Sequence, residues 1–137
     1  MNKFCFILVI LVFIAGCGSN PKSTKVSECE SYNSESAKLD CYVAELRTNI
    51  RLQLEQDLRT WFELNGPYGD WWFGEILVKV NLKPSGEIEK LTVVESSNNL
   101  RFDDFIMQSI RNASPFNMPK EKDTALKLKS FTWGIKI

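Results

Sequence analysis

The chain has 137 residues, with 17 Lys and Arg against 17 Asp and Glu and no histidine, so its formal net charge is zero. That length allows one domain with a modest core. Balanced charge without a basic run disfavours non-specific nucleic-acid binding, and the absence of histidine excludes His-based nucleophile systems and the commonest nitrogen ligand of zinc sites.

The N-terminal stretch reads as a secretory leader. Lys3 precedes an apolar run over residues 4–15, which ends in Ile14-Ala15-Gly16-Cys17 and gives way to Gly18-Ser19-Asn20-Pro21. The run is shorter than the roughly 20 apolar residues that cross a bilayer. Its last four residues resemble a bacterial lipobox, which implies removal of residues 1–16 and acylation of the Cys17 thiol. An ordinary cleaved signal with a cysteine beside it is the plainer alternative. Gly18 stands where Asp commonly accompanies inner-membrane retention, which favours the outer membrane. Residues 17–26 then form a lipidated, polar tether of about 30 Å when extended.

The domain is expected from residue 27 onwards. Cys5 leaves with the leader and Cys17 takes lipid, so Cys29 and Cys41 remain, and in an oxidising compartment they are expected to pair. A redox couple or a metal site is a poor alternative without a C-x-x-C motif or histidine. Ser27 and Glu30 have capping-box spacing and predict a short helical turn. From about residue 36 to 64, Leu39, Val43, Leu46, Ile50, Leu54, Leu58 and Trp61 recur at steps of three and four, the period of one helical face. Such a helix spans about 43 Å and overshoots an eight-residue strand. Asn65-Gly66-Pro67 stops it.

Tyr68, Trp71, Trp72 and Phe73 crowd the connection that follows. Burial of Trp72 and Phe73 is the favoured reading, with Tyr68 and Trp71 as the candidate exposed patch for a protein or glycan. Ile76, Val78, Val80 and Leu82 alternate with Leu77, Lys79 and Asn81, Lys83-Pro84-Ser85-Gly86 turns the chain, and residues 88–95 return. Residues 100–113 predict a second helix with Phe102, Phe105, Ile106 and Ile110 inward and Pro115 as its stop. Asp103-Asp104 at its start complements the helix dipole rather than forming an acid/base pair, and Ser96-Ser97 reads as a turn. Phe131, Trp133, Ile135 and Ile137 alternate as a third strand. The expected fold is therefore α+β, a three-stranded antiparallel sheet with two helices on one face.

From Phe73 onwards the chain resembles the C-terminal domain of the TonB/TolA family. The resemblance rests on residues 76–82 running into Pro84-Ser85-Gly86, on Ser96-Ser97-Asn98-Asn99 with Phe102-Asp103, on Ala113-Ser114-Pro115-Phe116, and on Phe131-Thr132-Trp133. Asn98 replaces a glycine of the pattern and also tolerates positive φ. The helix ahead, with Tyr42-Val43-Ala44, is more similar to the TolA branch. That branch commonly carries a disulfide from first strand to second helix, which this chain lacks, and the family's energy transducers have an inner-membrane helix and a long spacer in place of a lipid tether.

The resemblance implies a non-enzymatic envelope protein without cofactor or metal. Its partner would be a periplasmic peptide or protein, Tol or Ton components among them, added as a strand along Phe131, Thr132, Trp133, Gly134, Ile135 and Lys136. A structural lipid-anchored subunit of an envelope assembly, or a glycan-binding lipoprotein, are the alternatives.

Overall fold

A computed structural model describes residues 28–65 and 74–137. The leader, Cys17, the tether and the aromatic connection with Tyr68 and Trp71 lie outside the described residues. A short 3-10 turn (Glu28–Ser31) leads into α1 (Glu35–Asn65), then β1 (Glu75–Leu82), β2 (Ile88–Glu95), α2 (Leu100–Ala113), α3 (Lys122–Leu128) and β3 (Ser130–Lys136). The sheet order is β2-β1-β3, antiparallel throughout. This is the expected α+β fold with one addition, the seven-residue helix α3.

β1 is the central strand, and its strict alternation follows from that place. Ile76, Val78, Val80 and Leu82 are fully buried under the helices, while Glu75 and Lys79 face outward on the other side. Period-two side chains on a sheet covered on one face give this pattern. From α1, Tyr42, Leu46, Ile50 and Leu54 meet them, and from α2, Phe102, Ile106 and Ile110. Among the described residues, one continuous core runs from Cys29 to Ile137 and joins every element. A buried Leu, Ile or Phe contributes roughly 1.5–3 kcal/mol.

Both turns of the family pattern have a local cause. Gly86 sits at φ +80°, donates its N–H to the Lys83 carbonyl at 2.9 Å and accepts the Phe116 N–H at 2.9 Å. A Cβ there would lie 1.8 Å from the Phe116 carbonyl oxygen, so only glycine fits. Asn98 adopts φ +65°, the conformation expected of the residue that replaces a glycine.

The beginning of α1, expected to overshoot the strands, packs on other elements. It cradles the 3-10 turn, α3 and the loop between α2 and α3. Cys29 and Cys41 are bonded, with Cα atoms 5.5 Å apart. Closing so short a loop stabilises by about 2–3 kcal/mol in the chain-entropy view. The Tyr42 hydroxyl donates to the Glu30 carboxylate at 2.6 Å, and the Lys120 N–H donates to the same oxygen at 3.1 Å. Together these bonds hold the Glu30 carboxyl below its ordinary pKa. Asn117 donates to Glu45, Lys38 pairs with Glu121 at 2.5 Å, and Lys127 pairs with Glu35 at 2.7 Å. α3 is thereby fixed against the first turns of α1.

Candidate partner-binding edge

β3 has a single neighbour among the described strands, so one of its sides is an open edge. Which residues offer that edge follows from the ladder. Seven pairs, Glu75↔Lys136 to Asn81↔Ser130, join β1 and β3 without a break. Gly74 and Ile137 exchange both backbone bonds, at 3.3 and 3.2 Å, and the Leu82 N–H reaches the Lys129 carbonyl at 2.8 Å. Bonded and non-bonded pairs alternate in an antiparallel ladder. Residues 129, 131, 133, 135 and 137 therefore point their N–H and C=O at β1. Ser130, Thr132, Gly134 and Lys136 point theirs at the open edge.

The six residues singled out from the sequence thus divide into two sets. Phe131, Trp133 and Ile135 send side chains into the core and backbone bonds to β1. Thr132, Gly134 and Lys136 are exposed and carry the outward backbone groups. Core-facing side chains and edge-facing backbone groups occupy alternate positions of one strand.

Beside the edge, on the covered face, α1 and β3 enclose a groove of about 370 Å³. Leu54 and Leu58 line it from the helix, with Trp133 and Ile135 from the strand, and Arg47 and Arg51 border it. Arg51 makes a loose pair with Glu55 at 3.9 Å, both exposed, and such a pair contributes little. A strand added to β3 would turn alternate side chains into this groove. Leu54 and Leu58 are legible in the sequence as positions of the helical stripe, where they read as core face rather than as a binding wall.

The serines and the first acid of α2 form one structural cluster. The buried Asp103 carboxylate accepts from the Ser96 hydroxyl at 2.5 Å, the Ser97 hydroxyl at 2.6 Å and the Ser97 N–H at 3.1 Å. Burial pushes its pKa up, but these three bonds outweigh burial and hold the carboxyl below its ordinary range. The capping of α2 falls to Asn99, whose side chain accepts from the Phe102 N–H. Asp103 acts as a clasp on the turn from β2 rather than as a ligand of the helix dipole alone, and Asp104 is exposed. Among the described residues no group of three or more His, Cys, Asp or Glu could hold a metal ion.

The family described as TonB C terminal matches residues 39–131. The chain belongs to the TonB C-terminal family. Comparison with curated proteins and with solved structures returns no match. The matched span takes in α1, the hairpin, α2 and α3 and ends as β3 begins, so the open edge of this TonB-family domain is defined by its own register. TonB-family domains are envelope-associated, interact with envelope proteins and are in general non-catalytic. No helix among the described residues is long and apolar enough to cross a membrane.

Proposed function

We propose that this protein is an envelope lipoprotein, anchored through Cys17, whose TonB-like domain captures an extended periplasmic peptide or protein segment by strand addition to β3. The observation that carries this reading is the edge at Ser130, Thr132, Gly134 and Lys136, unpaired among the described strands and set beside an apolar groove under α1. Main-chain bonds would supply affinity and the groove would select side chains. A lipid tether in place of a membrane-spanning helix and spacer leaves the domain able to hold or block a partner but unable to relay inner-membrane energy. Gly18 favours the outer membrane under the common sorting rule. Components of the Tol or Ton systems are the first partners to test.

The test is a residue-resolved NMR titration of the domain (residues 27–137) with peptides and domains from those systems. Amide shifts concentrated on 130, 132, 134 and 136 are expected. Absence of shifts along β3 with every ligand would sink strand addition. Mass spectrometry of the protein from its envelope decides the anchor separately, since a diacylglyceryl group on Cys17 is expected and should vanish in Cys17→Ser.

A further inference from the structure

At the end of the domain where β1 runs into its turn, α3 and its C-terminal cap carry an exposed stripe. Lys122, Leu126 and Lys129 are spaced along one face of it, while Thr124 and Leu128 on the other face are buried. Leu126 is 66% exposed. Beneath the stripe, Leu82, Pro84, Met118 and Ala125 floor an open pocket of about 330 Å³, and Lys83 joins Lys122 and Lys129 at its margin.

Of the neighbouring acids, Asp123 lies exposed beside Lys122 on α3 itself, and the other three are engaged in ion pairs. Glu121 pairs with Lys38, Glu35 with Lys127, and Glu87 with Lys83 at 3.3 Å. Among the described residues no ion pair takes up Lys122 or Lys129, so they stand over an apolar hole with their charge available. Apolar floor and cationic margin together suit an anionic amphiphile.

The course of the chain says where such a ligand is met. The described structure starts at Glu28, and Glu30 binds the Lys120 N–H in the loop that feeds α3. The N-terminal segment therefore leaves from the end of the domain that bears this pocket. Residues 18–27 reach at most about 35 Å, which keeps that end close to the bilayer that holds Cys17.

We infer that the α3 pocket is a docking face for an anionic phospholipid membrane. Leu126 enters the interface, and Lys122 and Lys129 meet headgroup phosphates, while Lys83 stays paired with Glu87 at the rim. The proximity argument rests on the lipid anchor proposed above, while the charge and apolarity of the pocket stand without it. Docked so, the domain is held by its α3 end, with the open edge of β3 running away from the lipid.

The test is flotation of the unlipidated domain, residues 27–137, with vesicles of phosphatidylethanolamine and phosphatidylglycerol or of phosphatidylcholine alone. At least tenfold stronger partition onto the anionic vesicles is expected, since each lysine near an anionic surface is worth about fivefold. The Lys122→Glu/Lys129→Glu pair should bring partition down to the phosphatidylcholine level, and Leu126→Asp should lower it severalfold at unchanged charge on the lysines. Lys79→Glu/Lys90→Glu makes the same change in net charge on the sheet and should leave partition within about twofold. Equal partition onto both vesicles, or equal losses from the two charge pairs, would overturn the inference. Because this domain begins after Cys17, either failure leaves the lipid-anchor reading to its own mass measurement.

Discussion

β2 and β3 flank the same central strand, yet they meet it differently. Seven consecutive pairs join β3 to β1. β2 slips twice, once between Leu77↔Glu95 and Val78↔Val93 and again between Asn81↔Lys90 and Leu82↔Ile88. Val94 and Glu89 are the extra residues. Bulges bend a strand and increase its twist, and charges beside them discourage pairing with another chain. β2 has both devices, with Glu89, Lys90 and Glu95 exposed along it. β3 has no bulge and a single charge, Lys136 at its last position, and its outward positions include Gly134, whose missing side chain leaves the open face smooth. One edge is closed to strand addition and the other is left regular, which is the asymmetry expected of a domain that docks one partner in one place.

The largest effect that can break this comparison lies within β3 itself. Thr132 and Trp133 are neighbours with opposite backbone duties, so proline at each should separate binding from folding. Trp133→Pro removes an N–H from the β1 ladder and a ring from the core, and a loss of about 3 kcal/mol or more is expected. Trp133→Ala measures the packing share of that loss. Thr132→Pro removes an N–H that faces the open edge, a position where edge strands tolerate proline. Thermal melts should change by only about 1 kcal/mol, while peptide affinity falls at least tenfold. Equal unfolding by both prolines would refute the assigned alternation.

Much of this edge was readable from the chain, and the limits have physical causes. Alternation in 76–82 and 131–137 identified the strands because one face of the sheet is buried and the other is wet. The Pro84-Ser85-Gly86 turn and the pairing of Cys29 with Cys41 followed from local chemistry. α3 was missed because seven residues make barely two turns, too few for a 3.6-residue period to emerge. The bulges left a trace in the uneven spacing of Ile88, Leu91 and Val93, which only the ladder explains. Asp103 was read as a dipole partner since its burial depends on how the β2–α2 turn folds over it. Tyr68 and Trp71 lie outside the described residues.

A middle-sized effect concerns the route by which the chain leaves β2. Asp103→Asn weakens the clasp on Ser96 and Ser97, and a loss of about 1–3 kcal/mol is expected. The sign of its pH dependence follows from the lowered carboxyl. Its pKa in the folded chain lies below the ordinary 3.8, so the unfolded chain binds more protons as the solution is acidified. The clasp's contribution is fully present above the ordinary value and is lost as pH falls through the folded one. Chemical denaturation between pH 7 and pH 2 should show a steeper decline in the unaltered chain than in Asp103→Asn. Parallel curves would remove Asp103 as the group responsible.

The smallest expected effect on stability gives the sharpest test of the protected edge. Deleting Glu89 places Lys90 directly after Ile88, so Leu82↔Ile88, Asn81↔Lys90 and Val80↔Leu91 become consecutive pairs. Ile88 and Leu91 already pack against the core, and removal of the intervening residue gives them strict alternation. The fold should therefore tolerate the deletion within about 1 kcal/mol. What changes is the outer side of β2, which loses one bulge and one charge and offers a straighter row of backbone groups. Sedimentation velocity over a concentration series should then detect self-association that is weaker or absent in the unaltered chain. If the deletion folds and sediments as the unaltered chain does, the bulge at Glu89 is a packing adjustment, and the closure of β2 must rest on its charges.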